Sequence, residues 1–240
     1  MEGLNENMKI FALPYAVASS GMYYQLKREL SPNHTLVPME YPGHGTRISE
    51  ELLPDIHSMA EDAYSQLLKE NISQPYGLFG YSMGTLVAHE LYYLLLANKR
   101  PLPSILFMCA ASSPQAKREQ KNISEMTDLQ LIEELRLLQG TESEVLEDKE
   151  LLGMILPIAR ADLSAAEKYL GDINRPQISS NVVVLYSDEE AQEADIGLWS
   201  DISSKPVVFL KLSGGHFFIH SGLHKVSALI EEHIRNIKVI

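Results

Sequence analysis

Apolar residues along the chain gather into short dense runs, with helix-spaced stripes between them. The runs are Lys9 to Leu13, Thr35 to Glu40, a run ending at Phe79, Ser104 to Ala110, Asn181 to Tyr186 and Pro206 to Leu212. Each is only a few residues long and rich in large or β-branched side chains, the pattern of strands buried on both faces of a parallel sheet. Between them, apolar positions recur at helical spacing over Met22 to Leu30, Asp55 to Leu68, Thr85 to Ala97 and Val226 to Ile237. In the second of these, Ile56, Met59, Ala60, Ala63 and Leu67 fall on one side. Strands alternating with helices predict an α/β fold with a mostly parallel central sheet flanked by helices.

The alternation lapses between about 114 and 175. Leu129, Ile132, Leu135 and Leu138 form a helical stripe there, an acidic stretch follows from Glu142 to Glu150, and Leu151 to Leu170 reads as a further helical region broken at Pro157. A helical insertion in an α/β chain predicts a lid within a single domain spanning 1–240. A short helix is expected around Asp195 to Trp199.

A length of 240 residues with 45% hydrophobic content suits one domain with a large core. The formal net charge of −12 argues against nucleic acid and against anionic membrane surfaces, because the long-range field has the wrong sign. The one cysteine, Cys109, stands in an apolar run and reads as a buried thiol, so no disulfide forms within the chain. Met1 to Met8 is polar and acidic, unlike a signal peptide, and no apolar run nears the ~20 residues of a membrane span. A cytoplasmic monomer is expected.

Gly80-Tyr81-Ser82-Met83-Gly84 stands between a strand and a helix. This is the context of a nucleophile elbow, in which a tight turn flanked by glycines holds a serine hydroxyl exposed. Ser82 is therefore the candidate nucleophile. It needs a base, and His216, after Gly214-Gly215 and the last strand, has the right place in the order serine, acid, histidine. The acid belongs after a strand between them, where Asp188, Glu189 and Glu190 stand in succession. Two backbone donors are needed for the oxyanion; Met83 after the serine and Ala16 in the loop after the first strand are expected to supply them. His216, His220 and His224 recur every four residues, but glycines interrupt any continuous helix, and no metal site is expected. No dinucleotide or phosphate-loop motif occurs, so no cofactor is expected.

With these residues in place the chain resembles the type II thioesterases of polyketide and nonribosomal peptide synthesis, which have the α/β-hydrolase fold. The likeness is carried by Leu13-Pro14-Tyr15-Ala16, Tyr41-Pro42-Gly43-His44-Gly45, the elbow, Leu156-Pro157-Ile158-Ala159-Arg160-Ala161-Asp162 and Gly214-Gly215-His216-Phe217-Phe218. It implies hydrolysis of acyl groups from the phosphopantetheinyl arms of acyl or peptidyl carrier proteins. Two places depart from the family pattern. Ala16-Val17-Ala18 replaces Ala-Gly-Gly in the oxyanion loop. The acid turn reads Ser187-Asp188-Glu189-Glu190 instead of Gly-x-x-Asp, which leaves Asp188 and Glu190 as the leading candidates. Lys117, Arg118 and Lys121 form a basic cluster that could meet an acidic carrier, although an ordinary solvated face accounts for it as well.

Overall fold

The computed structural model describes residues 7–70, 72, 75–117, 120–140, 143–187 and 196–237. Six parallel strands form one sheet: β1 Met8–Leu13, β2 His34–Pro38, β3 Tyr76–Tyr81, β4 Ile105–Cys109, β5 Asn181–Ser187 and β6 Val208–Leu212. Their order is β2-β1-β3-β4-β5-β6. The chain thus winds one way from β1 to β2 and the other way from β3 onward. All strand C-termini share one edge, which is where such sheets place their ligands. The run expected to end at Phe79 continues two residues further to Tyr81, because Tyr81 still pairs with Cys109 of β4.

Successive side chains of a strand point to opposite faces. Leu78, Leu106, Met108, Val182 and Val184 accordingly join one buried cluster, and Phe79, Tyr81, Phe107, Cys109, Val183 and Leu185 join the other. Helices α2 (Ile56–Leu67) and α3 (Met83–Ala97) cover the first face. Helix α1 (Tyr24–Glu29) and the closing helix cover the second. Asp55 sets the start of α2 by accepting a hydrogen bond from the Ser58 N–H at 2.7 Å.

Between β4 and β5 the described residues form helices and no strand. Helix α4 (Asp128–Leu138) opens with a capping box, in which the Thr127 side chain and that of Gln130 bond each other's backbone N–H. Helices α5 (Ser143–Glu147) and α6 (Lys149–Lys168) follow, and the three share a small core of their own around Leu131, Leu135, Leu146 and Ala159. The break expected at Pro157 does not occur: α6 runs through it. An interior proline removes one backbone bond at a cost of about 3 kcal/mol. Packing opposes that cost, because Ile158, Ala159, Asp162 and Ala165 are buried just beyond the proline.

Past β5, a 3-10 turn at Ile196–Ser200 buries Trp199 completely, and its indole N–H donates to the Ala111 carbonyl at 3.2 Å. Helices α7 (Phe218–Ser221) and α8 (Leu223–Arg235) end the described chain. Cys109 is buried in the core. No described helix is long and apolar enough to cross a membrane.

A carboxylate network pins the helical layer. Glu90 on α3 is almost wholly buried and receives both guanidinium nitrogens of Arg175, at 2.7 and 2.8 Å. It also accepts from Tyr169 Oη at 2.8 Å and contacts His57 Nδ1 at 3.0 Å. Burial by itself would raise its carboxyl pKa, but these partners overcome it and hold the group down at about 2.

Candidate active site

The elbow is made by backbone sterics. Ser82 has φ 51° and ψ −115°, a sparsely populated conformation that costs roughly 1–3 kcal/mol. A Cβ at Gly80 would stand 2.4 Å from the Gly84 carbonyl oxygen, and one at Gly84 would stand 2.0 Å from that of Leu13. Only glycine fits either place. Neighbouring strand β4 holds the turn: the Cys109 carbonyl accepts from the Ser82 N–H at 2.8 Å. Thr85 Oγ1 adds a stitch, 2.9 Å from the carbonyls of both Gly80 and Cys109 while accepting from the Cys109 N–H.

His216 Nε2 lies 3.0 Å from Ser82 Oγ. The chain reaches this point from β6 through Gly214, whose φ of +109° suits glycine. Tyr81, one residue before the serine, secures the histidine loop: its hydroxyl donates to the His216 carbonyl at 2.6 Å and accepts from the Ile219 N–H at 3.3 Å. In the sequence, Tyr81 is marked only by its place next to the nucleophile. Its place, pointing to the face shared with the closing helix, was the available signal.

Met83 opens α3, so its N–H is one of the four without an intrahelical acceptor. Ala16, in the loop after β1, and Ser82 line one small cavity of about 130 Å³ with Tyr15, Leu135, Gly140 and Phe217. A second cavity of about 310 Å³ is lined by Ser82 with Met83, Leu86, Ala111, Ile123 and Ala166. Ser82, Leu138, Leu163 and His216 border both. The walls are mainly apolar, with Lys121, Glu134 and Glu167 at the rim of the larger space. Lys121 Nζ is bonded to Glu134 at 2.6 Å, so this member of the basic cluster is engaged within the molecule, and Arg118 lies outside the described residues.

The oxyanion loop departs from the family pattern in a physical way. Val17 adopts φ 73°, a left-handed conformation unusual for a β-branched residue. Two buried carboxylates hold the loop. Asp162 Oδ2 on α6 accepts from the Val17 N–H at 2.7 Å and stands 2.9 Å from His44 Nε2. Glu40 accepts from the Ser20 N–H at 2.7 Å and the Ser20 hydroxyl at 2.8 Å. In the sequence, His44 and Asp162 stand out only as members of the Tyr41–Gly45 and Leu156–Asp162 motifs. An acid at helical spacing among Ile158, Ala159 and Ala165 was the overlooked signal.

Asp188 and Glu190, with Glu189, lie outside the described residues. The chain leaves β5 at Ser187, which pairs with Leu212, four residues before His216. The periodic histidines diverge: His220 contacts Tyr15 Oη at 3.2 Å and His224 pairs with Glu29 at 2.7 Å. Among the described residues no group of three or more His, Cys, Asp or Glu is placed to hold a metal ion.

A serine hydroxyl bonded to imidazole, at the crossover of a parallel sheet and beside helix-start amides, is the constellation of an α/β-hydrolase that works by acyl transfer. Within that class the chain belongs to the thioesterase domain family, whose model matches residues 8–236. Thioesterase PikA5 of Streptomyces venezuelae is 27% identical over 234 residues, covering 96% of this chain and 82% of its own. Among solved structures, ClbQ from the colibactin pathway of mixed nonribosomal peptide and polyketide type superposes with TM-score 0.89 at 26% identity, over 97% of this chain and 98% of its own. The type II thioesterase BorB from the borrelidin biosynthetic cluster gives TM-score 0.84 at 28% identity, over 95% of this chain and 93% of its own. The protein is a thioester hydrolase.

Proposed function

We propose that the chain is a stand-alone, type II thioesterase that clears acyl groups from the phosphopantetheinyl arms of carrier proteins in polyketide or nonribosomal peptide synthesis. Ser82 is the nucleophile and His216 the base. The acid comes from the turn carrying Asp188 and Glu190. The N–H groups of Met83 and Ala16 form the oxyanion hole. Ser82 Oγ adds to the thioester carbonyl as His216 takes its proton. The C–S bond then breaks, the thiol leaves with that proton, and an acyl-serine ester remains. His216 next activates a water, which attacks the ester; the free acid departs and the serine proton is restored. Thiolate leaves readily, so oxyanion stabilisation and deacylation govern the rate.

The 3.0 Å contact between Ser82 Oγ and His216 Nε2 carries this reading. The likeness to ClbQ, from a nonribosomal peptide and polyketide pathway, and to the type II thioesterase BorB supports the carrier-bound substrate. Leu138 of α4 and Leu163 of α6, which line the cavity together with Ser82, support the reading of segment 114–175 as a lid. No step calls on a cofactor or metal.

The test compares hydrolysis of acyl carrier protein with that of the same acyl group on coenzyme A or a simple ester. A higher kcat/KM on the carrier is expected, together with an acyl adduct on Ser82 by mass spectrometry that disappears in Ser82→Ala. Equal rates on carrier and free thioesters would instead indicate a hydrolase of small substrates. Absence of any adduct would indicate a carrier-binding protein without turnover. Asp188→Asn and Glu190→Gln, assayed side by side, identify the acid as the one whose loss lowers kcat by orders of magnitude.

A further inference from the structure

Asp162 is fully buried on α6, yet the mechanism above gives it no role. One of its oxygens does all the visible work. Oδ2 accepts from the Val17 N–H at 2.7 Å and meets His44 Nε2 at 2.9 Å, whereas Oδ1 has no hydrogen-bond partner among the described residues. His44, buried to the same degree, has its other nitrogen, Nδ1, 2.9 Å from the Pro42 carbonyl oxygen. A carbonyl can only accept, so Nδ1 carries a proton. Oδ2 already accepts from the Val17 N–H, so the second contact is best made by a proton on Nε2. An imidazolium, with both ring nitrogens donating, satisfies the Pro42 and Asp162 contacts together.

The ion pair joins three segments: the loop after β1, the turn after β2, and α6 of the helical segment. Its third member is the N–H of Val17, the residue after Ala16 and one held at φ 73°. The Val17 amide is thereby occupied, while no bond is made by the Ala16 N–H to the described residues, and Ala16 lines the small cavity with Ser82. We propose that Asp162 and His44 are positioning residues for the oxyanion hole: they fix Val17 in its left-handed conformation so that the Ala16 N–H is aimed at the oxyanion, and do so only while α6 is seated on the loop. The inference rests on the assignment of Ala16 as an oxyanion donor. It means that the hole is assembled by contact with the helical segment, and that a glycine is dispensable at position 17 because a buried anion holds the amide there.

The groups facing His44 are consistent with a lasting positive charge. Asp162 faces it from α6, Glu40 acts from its own strand end, and the Tyr41 ring packs edge-on at 5.8 Å. Burial alone would lower the imidazole pKa, but the Asp162 bond and charge, the Pro42 carbonyl and Glu40 raise it above its ordinary value. A raised pKa means that the contribution is complete at low pH and is lost as pH rises through the raised value. Deprotonating His44 should therefore loosen the hole on the alkaline side.

The test measures kcat and KM against pH for thioester hydrolysis by the wild type, Asp162→Asn and His44→Gln. Ser82 labelling by a fluorophosphonate, which passes through a similar oxyanion, runs in parallel. Asp162→Asn should lower kcat and the labelling rate about 100-fold, the scale of a misaligned catalytic donor, with KM within about threefold. His44→Gln can still donate to Asp162 without titrating, so it should keep at least a tenth of kcat, and its alkaline fall in kcat should be absent. Urea midpoints identify a variant that fails to fold; His44→Gln then decides through its pH profile. Wild-type kcat and labelling rates retained in folded Asp162→Asn, or an alkaline limb unchanged in His44→Gln, would overturn the inference. No labelling of the wild-type protein would instead sink the assignment of Ser82 itself.

Discussion

Gly84→Ala is the smallest change that reaches both proposed donors of the oxyanion hole, the N–H groups of Met83 and Ala16, at once. The new Cβ would lie 2.0 Å from the Leu13 carbonyl oxygen and 2.6 Å from that of Pro14. Carbon and oxygen normally approach to about 3.4 Å, so the two backbones must part by more than about 1 Å. Neither side can yield through a side chain, because both neighbours are main chain. The Leu13 side is the end of β1, from which the loop to Ala16 departs; the Gly84 side is the start of α3, next to Met83. The separation of the two N–H donors therefore grows by about the same amount. Losing one oxyanion donor costs about 10²–10³ in kcat, and a misplacement near 1 Å costs about 10². A fall of about 100-fold in kcat on an acyl thioester is expected, with KM little altered because the apolar walls stay in place. Overpacking should also lower stability by about 1–3 kcal/mol, read from the urea midpoint. Activity within threefold of wild type in a folded Gly84→Ala would show that the close approach of α3 to β1 does not set the hole.

Two further outcomes follow from other contacts. Tyr81→Phe removes the hydroxyl that bonds the His216 carbonyl and the Ile219 N–H, so stability should fall by about 1 kcal/mol and kcat by about tenfold, with Ser82 still labelled; an unchanged kcat would mean the loop needs no such anchor. The Glu90 carboxyl, held near pH 2 against a reference of 4.5, makes the folded form bind fewer protons than the unfolded chain between those values, so its contribution of roughly 3 kcal/mol is present above about pH 4.5 and is lost as pH falls toward 2. Arg175→Ala should flatten the rise of the urea midpoint with pH in that acidic window, and an identical slope would rule out the Arg175 pairing as its source.

Most of the sheet could be read from the sequence because buried parallel strands write continuous apolar runs, as at Ile105 to Cys109 and Val182 to Leu185. The elbow was equally plain, since Gly80 and Gly84 are demanded by contacts within a few residues and across one strand. Pro157 misled because local propensity opposes an interior proline, whereas packing of Ile158, Ala159 and Ala165 decides the helix. The Asp162–His44 pair was hidden for a different reason. Its members are 118 positions apart and meet only once the helical segment folds back on the loop after β1. Val17 departs from the glycine pattern, and what that departure requires, an acceptor for its amide, sits on another element. Asp188, Glu189 and Glu190 follow one another in the sequence and carry the same chemistry, so no residue type singles out the acid.

Trp199 gives the molecule an optical property that none of its chemistry requires. It is the single tryptophan of the chain, it is fully buried, and its indole bonds the carbonyl of Ala111, which borders the larger cavity beside Ser82. Ultraviolet emission excited near the red edge thus comes from one known spot, free of the averaging that several indoles would bring. The same signal reports global unfolding, when the ring meets water, and occupancy of the neighbouring space, when the Ala111 carbonyl is disturbed. Stopped-flow traces of substrate entry can be recorded on the unlabelled native chain.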